Sequence, residues 1–230
     1  MNYTYYNDDY GLIKVVLSKA INADLVAEAG LNYYSNNISA VSQGSNPIDQ
    51  ALIDRSRSYL FATTAIKMDR TDNYLSPRKG ESAYFTLDLA SGWSRAQIDL
   101  EKFSTPLHPD QVLAARLLFT EVAGSDVPVY EYATLGGRDT LRGYSLYRFR
   151  GGAAALANLE YRFPLFGQLS GVAFLDTGKV FSNLGSIDLA GWPGDYGLGL
   201  RYLLGSLILR LDYGIGQEER NLYFYYNHVF

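Results

Sequence analysis

The chain has 230 residues, 47% hydrophobic and 19% charged, a net charge of −4 and an isoelectric point near 5.2. That balance excludes a disordered chain, and the acidic surplus argues against a nucleic-acid partner. The absence of cysteine removes disulfides, a thiol nucleophile and any cysteine-based zinc site. Twenty tyrosines, eleven phenylalanines and twenty-two glycines against seven prolines indicate strands joined by tight turns.

Along the chain, strands are expected at 2–6, 10–20, 23–34, 58–69, 82–91, 94–104, 111–122, 153–164, 170–181, 195–204, 206–215 and 221–230. The opening MNYTYYNDDYG lacks the basic and apolar regions of a leader peptide, so the chain reads either as cytoplasmic or as a mature segment behind an added Met1. Asp8 and Asp9 read as turn residues. The best helical stripe, at 46–55, falls in an apparent loop. Short connections such as 22–24 alternate with long ones at 36–57, 70–81 and 123–152. No apolar run is long enough for a membrane-spanning helix.

The informative signal is the two-residue period. Tyr196, Leu198, Leu200, Tyr202 and Leu204 share one face, and Asp195, Gly197, Gly199 and Arg201 the other. The following segment sets Leu207, Leu209, Leu211, Tyr213 and Ile215 against Ile208, Arg210, Asp212 and Gly214. Ala157, Leu159, Tyr161 and Phe163 likewise oppose Asn158, Glu160 and Arg162. A soluble sandwich or calyx holding a small apolar ligand would bury the apolar face. The opposite face, however, repeatedly carries ionic groups at strand centres. A barrel with its apolar face toward lipid and its charged face toward the lumen accounts for both, and segments of about ten residues suit a tilted strand crossing a bilayer. An even strand count would place both termini on one side, with short turns there and long loops opposite.

The connection at 123–152 is unusual because GGRDTLRGYSLYRFRG packs four arginines into a few turns of chain. It lacks the Gly-Lys-Ser/Thr ending of a phosphate cradle, and GYSLY is not the Gly-x-Ser-x-Gly of a hydrolase. His108 and His228 have no nucleophile pattern beside them. No catalytic residue, metal site or cofactor is expected. The sequons at Asn2 and Asn37 are short enough to arise by chance.

PVYEYATLGGRDTLRGY at 128–144 resembles the long sixth extracellular loop of the bacterial surface-antigen superfamily of BamA/TamA-type outer-membrane assembly barrels. Gly136, Gly137, Leu141, Arg142, Gly143 and Tyr144 carry the likeness. ANLEYRFPLF at 157–166 and AFLDTGKVF at 173–181 resemble the two strands that follow that loop, and MDRTDNYLSPRKGES at 68–82 an earlier strand-to-loop segment. The last strand ends on Phe230, as outer-membrane barrels commonly do, although His228 stands where an apolar residue is usual.

The resemblance implies an all-β, antiparallel transmembrane β-barrel, here of about twelve strands, forming one domain over residues 1–230. It implies residence in the bacterial outer membrane and partnership with the bilayer and with unfolded outer-membrane proteins as clients. It also implies that Glu160 and Asp176 are lumenal partners of Arg142, although Arg162 and Arg201 compete for them on the period-two count. A thirty-residue loop folded into the lumen would need such carboxylates to keep an arginine charged there. Leu222, Phe224, Tyr226 and Phe230 are expected to form the terminal-strand signal and one side of a weak seam, with Tyr3–Tyr6 or the strand from Gly11 on the other. Such edges could also support a homodimer. Rival readings are a membrane anchor for another domain, as in patatin-like lipase fusions, and a passive pore.

Overall fold

The computed structural model describes residues 5–42 and 56–230, with side chains at 9–39 and 56–230. Eleven strands form one antiparallel sheet in chain order: β1 (Tyr5–Ala20), β2 (Leu25–Ser42), β3 (Arg57–Asp69), β4 (Gly80–Ala90), β5 (Trp93–Ser104), β6 (Val112–Gly124), β9 (Ala153–Phe166), β10 (Leu169–Phe181), β11 (Gly194–Leu204), β12 (Leu207–Gly216) and β13 (Arg220–Tyr226). A separate ribbon of β7 (Ala133–Leu135) and β8 (Phe149–Gly151) lies within the connection between β6 and β9. Among the described residues β1 and β13 each have one sheet partner, so the sheet is open between them.

The two-residue period explains why these segments are strands and which way they face. In β11, Asp195, Gly197, Gly199 and Arg201 are buried, while Tyr196, Leu198, Leu200 and Tyr202 are exposed. In β12, Ile208, Arg210, Asp212 and Gly214 are buried, while Leu211 and Tyr213 are exposed. The inside therefore holds the ionic groups and the outside presents Leu, Tyr and Phe, as a lipid-facing barrel wall requires. At about 3.3 Å per residue, strands of ten or more residues cross a hydrocarbon layer when tilted.

Two expectations change. Among the described residues the sheet has eleven strands, because Tyr5 and Tyr6 continue without a break into the segment expected from residue 10: Asp8 and Asp9 stand in the β1 ladder opposite Ile38 and Asn37, and not in a turn. The odd count puts the start of β1 and the end of β13 at opposite ends of the sheet. The connection 70–79 lies at the end carrying the short turns 21–24, 167–168 and 205–206, while the short turns 91–92 and 217–219 lie at the other end. The connections 125–152 and 182–193 leave the sheet at that other end. The 70–79 connection is compact because its own side chains satisfy its backbone: Asp72 Oδ1 accepts from the N–H groups of Arg78 (2.8 Å) and Lys79 (3.1 Å), and Asn73 Oδ1 from those of Leu75 and Ser76. The expected strand residues 2–4, the sequon asparagine Asn2, the seam residue Tyr3 and the helical stripe 46–55 lie outside the described residues.

Candidate functional site: a loop tied across the lumen

The β6–β9 connection enters the lumen as a folded unit. Val129–Glu131 forms one 3-10 turn, and β7 and β8 then pair, with Leu135 opposite Phe149. Gly136 and Gly137 follow at φ 110° and 102°, a conformation that side chains resist, and let the chain reverse into the tight turn 137–144. Gly137 N–H donates to both Leu141 O (3.2 Å) and Tyr144 O (3.0 Å), and Tyr144 N–H donates to Leu141 O (3.1 Å). Ala133, Leu135, Leu141 and Tyr144 then pack on Val122, Ala154 and Leu156 of the wall. This apolar patch orients the polar tip.

At the tip, Arg142 has no exposed surface. Its Nε and Nη2 donate to Asp176 Oδ2 and Oδ1, each at 2.8 Å, and its Nη1 donates to Glu160 Oε1 at 2.5 Å and Asp212 Oδ2 at 3.4 Å. The guanidinium lies 3.5 Å from the centre of the Phe174 ring. A planar fork suits this arrangement as an ammonium would not. Burial works against the charge, but Asp176 and Glu160 outweigh it and raise the Arg142 pKa above its ordinary value, so the group stays ionised.

The carboxylates are themselves shared. Glu160 Oε2 accepts from Arg162 Nε at 2.8 Å, and Oε1 meets Arg201 Nη2 at 3.4 Å. Asp212 pairs with Arg201 and lies 3.3 Å from Arg210 Nε. Asn158 Nδ2 donates to Asp176 (2.7 Å) and to Thr140 O of the loop (2.8 Å). The alternatives left open by the sequence are thus met together: Glu160 contacts Arg142, Arg162 and Arg201, while Asp176 contacts Arg142.

The loop is also fastened to other walls. Glu131 accepts from Tyr59 of β3 (2.5 Å) and forms an ion pair with Arg95 of β5. Arg116 of β6 donates to Asp139 O (3.0 Å). Tyr144 donates to Gly194 O of β11, and Tyr223 of β13 donates to Tyr144 O (2.9 Å). At Gly143 an added Cβ would overlap the Gly216 backbone and stand 2.5 Å from Asp195 Cβ, so only glycine fits between loop and wall. Sequence reasoning missed Asp212 as a partner of Arg142, the stacking on Phe174 and the Glu131 anchor. Asp212 did stand on the charged face of its strand, but nothing local showed that the loop reaches β12.

The terminal-strand residues separate. Leu222, Phe224 and Tyr226 project outward from β13 and are exposed. Phe230 is not part of the strand, which ends at Tyr226, and this corrects its assignment to the seam. The chain turns at Asn227, φ 64°, and carries the Phe230 ring inward to 6.4 Å from Phe103. Phe103, Val112 and Ala114 receive it, and Arg162 Nη2 donates to its carbonyl at 3.0 Å. His228 meets Ser76 of the 70–79 connection at 3.4 Å.

The Omp85 superfamily domain matches residues 1–230. No curated protein matches. Among solved structures, BamA from Haemophilus ducreyi lacking POTRA domains 1–3 is similar with a TM-score of 0.75 at 13% identity, covering 98% of this chain and 56% of that one. CdiB from Acinetobacter baumannii is similar with a TM-score of 0.63 at 16% identity, covering 96% and 42%. The chain thus spans about half the length of these structures, which share its fold. The inverted strand faces, the loop tied across the lumen and the match over the full chain agree: the protein belongs to the Omp85 superfamily of bacterial outer-membrane β-barrels.

Proposed function

We propose that this chain is the barrel portion of a protein that inserts other outer-membrane proteins into the bilayer or moves a polypeptide across it, without bond chemistry. The match of the Omp85 superfamily domain to residues 1–230 carries the proposal. Support also comes from β13, which is hydrogen-bonded on one side only among the described residues. A strand edge with free N–H and C=O groups templates an incoming strand, and Leu222, Phe224 and Tyr226 would keep that pairing at the lipid boundary. Arg142, held by Glu160 and Asp176, has the role of keeping the loop docked, so that the lumen is filled while the edge works. A lumen crossed by such a loop disfavours a passive pore.

Edge pairing is testable because the chain has no native cysteine. Asn221→Cys and Tyr223→Cys, introduced singly into β13, are to be oxidised during folding of an unrelated outer-membrane barrel carrying one cysteine in its terminal strand. A register-dependent disulfide adduct is expected. A client that folds at full rate with no adduct at any register would overturn edge pairing and leave the membrane-anchor reading.

A further inference from the structure

Arg162, Arg201, Ser170 and His228 line a cavity of about 260 Å³ at the end of the sheet that carries the turns 167–168 and 205–206. Arg201 stands opposite Ser170 in the ladder, and Arg162 opposite Val172, so the three polar side chains project from neighbouring positions on one face. Arg78 and Asp110 also line it, paired with each other at 3.1 Å.

The two buried arginines are not satisfied. Arg162 uses Nε on Glu160 and Nη2 on Phe230 O, and Arg201 uses Nη1 and Nη2 on Asp212 and Glu160. Among the described residues, Arg162 Nη1, Arg201 Nε and His228 Nδ1 are buried with no hydrogen-bond partner. Buried donors on charged groups rarely go unmet. The nearest carboxylates cannot serve, since Glu160 is divided among three arginines and Asp212 among three. Asp176 and Asp195 line a different cavity beyond Arg142.

We infer that this cavity binds an oxyanion of phosphate type, free or as a lipid headgroup, through Arg162, Arg201 and Ser170. Its oxygens offer several acceptors to guanidinium donors, and the volume lies below the roughly 300–1,000 Å³ of pockets that enclose a whole drug-sized ligand. The acyl part of a lipid would therefore stay outside. The cavity's arginines share Glu160 and Asp212 with Arg142, but the inference does not rest on the proposed activity.

The test uses the folded chain in detergent, titrated with sodium phosphate against sodium chloride of equal ionic strength. The readouts are the temperature at which the folded band is lost on gels and the side-chain Nε–H resonances of Arg162 and Arg201. Phosphate is expected to raise the midpoint and shift both resonances saturably, where chloride does neither. Ser170→Glu, which supplies a tethered carboxylate, should raise the midpoint without phosphate and abolish the phosphate response. Vesicles of phosphatidylglycerol without free phosphate distinguish the sources: shifted resonances there indicate a headgroup, and resonances that move only with inorganic phosphate indicate the free ion. If phosphate and chloride curves superimpose and neither resonance moves, or if Ser170→Glu keeps the full response, the inference is wrong.

Discussion

Replacing Arg142 by alanine should release the loop from the lumen, and the geometry sets the size of the effect. Asp176 would lose the bidentate pair at 2.8 Å and keep Asn158 and the Arg142 backbone N–H, while Glu160 would still have Arg162 and Arg201. The uncompensated charge is therefore Asp176. Removing one partner of a buried ion pair costs about 3–5 kcal/mol. At about 1.4 kcal/mol per tenfold, the undocked population should rise at least about 10²-fold. A single cysteine at Ala133, on the loop's own face buried against the wall, reports this through its rate of maleimide labelling in the folded protein. Arg142→Lys should fall between, because it restores a charge and loses the fork. Asp176→Asn in the Arg142→Ala background should recover part of the loss, since it removes the orphaned carboxylate. Labelling of Arg142→Ala within about threefold of the parent, a difference under about 1 kcal/mol, would refute the tether.

Three further outcomes follow from the same contacts. Gly143→Ala should undock the loop by the same labelling assay, because its Cβ would meet the Gly216 backbone, whereas Gly11→Ala, with open space around it, should leave labelling unchanged. Burial, with Arg162 next, holds the His228 imidazole well below its ordinary 6.5, so the tail docks with that ring neutral. Docking is then complete above about pH 6.5 and weakens as pH falls, by up to tenfold per unit until the lowered pKa is reached. Relative to a fully exposed cysteine labelled in parallel at each pH, which cancels the change in thiolate fraction, a cysteine at Val229 should label faster at pH 5 than at pH 7.5, and His228→Gln should flatten that dependence. Ser206 and Asp188 flank the single strand β11, so cysteines placed there should label from opposite faces of a sealed vesicle; labelling from one face would contradict the topology.

The strands of the second half were legible because period two is strict there: Asp195 to Arg201 and Arg210 to Gly214 alternate with Leu and Tyr without a break. The inward placement of Glu160 and Asp176 is readable for the same reason. The start of the chain misled because Asp8 and Asp9 resemble a turn, yet a long strand at a barrel edge carries acids in its ladder without reversing. The Asp212 contact, the Tyr59–Glu131 bond and the inward turn of Phe230 join residues 70, 72 and 127 or more positions apart through the lumen. No local pattern encodes such contacts, since they depend on how the wall curves and on where a loop lands. β13 stops before the terminal aromatic at Asn227, whose φ of 64° suits a residue type that tolerates the left-handed region.

The most direct test of the account is the rate at which an unrelated outer-membrane protein folds into liposomes preloaded with this chain, against empty liposomes and against Arg142→Ala. Folding faster than in empty liposomes, with the gain lost in Arg142→Ala, is the result expected of an insertion barrel whose docked loop matters. Equal rates in empty and loaded liposomes, with the barrel correctly folded, would contradict it.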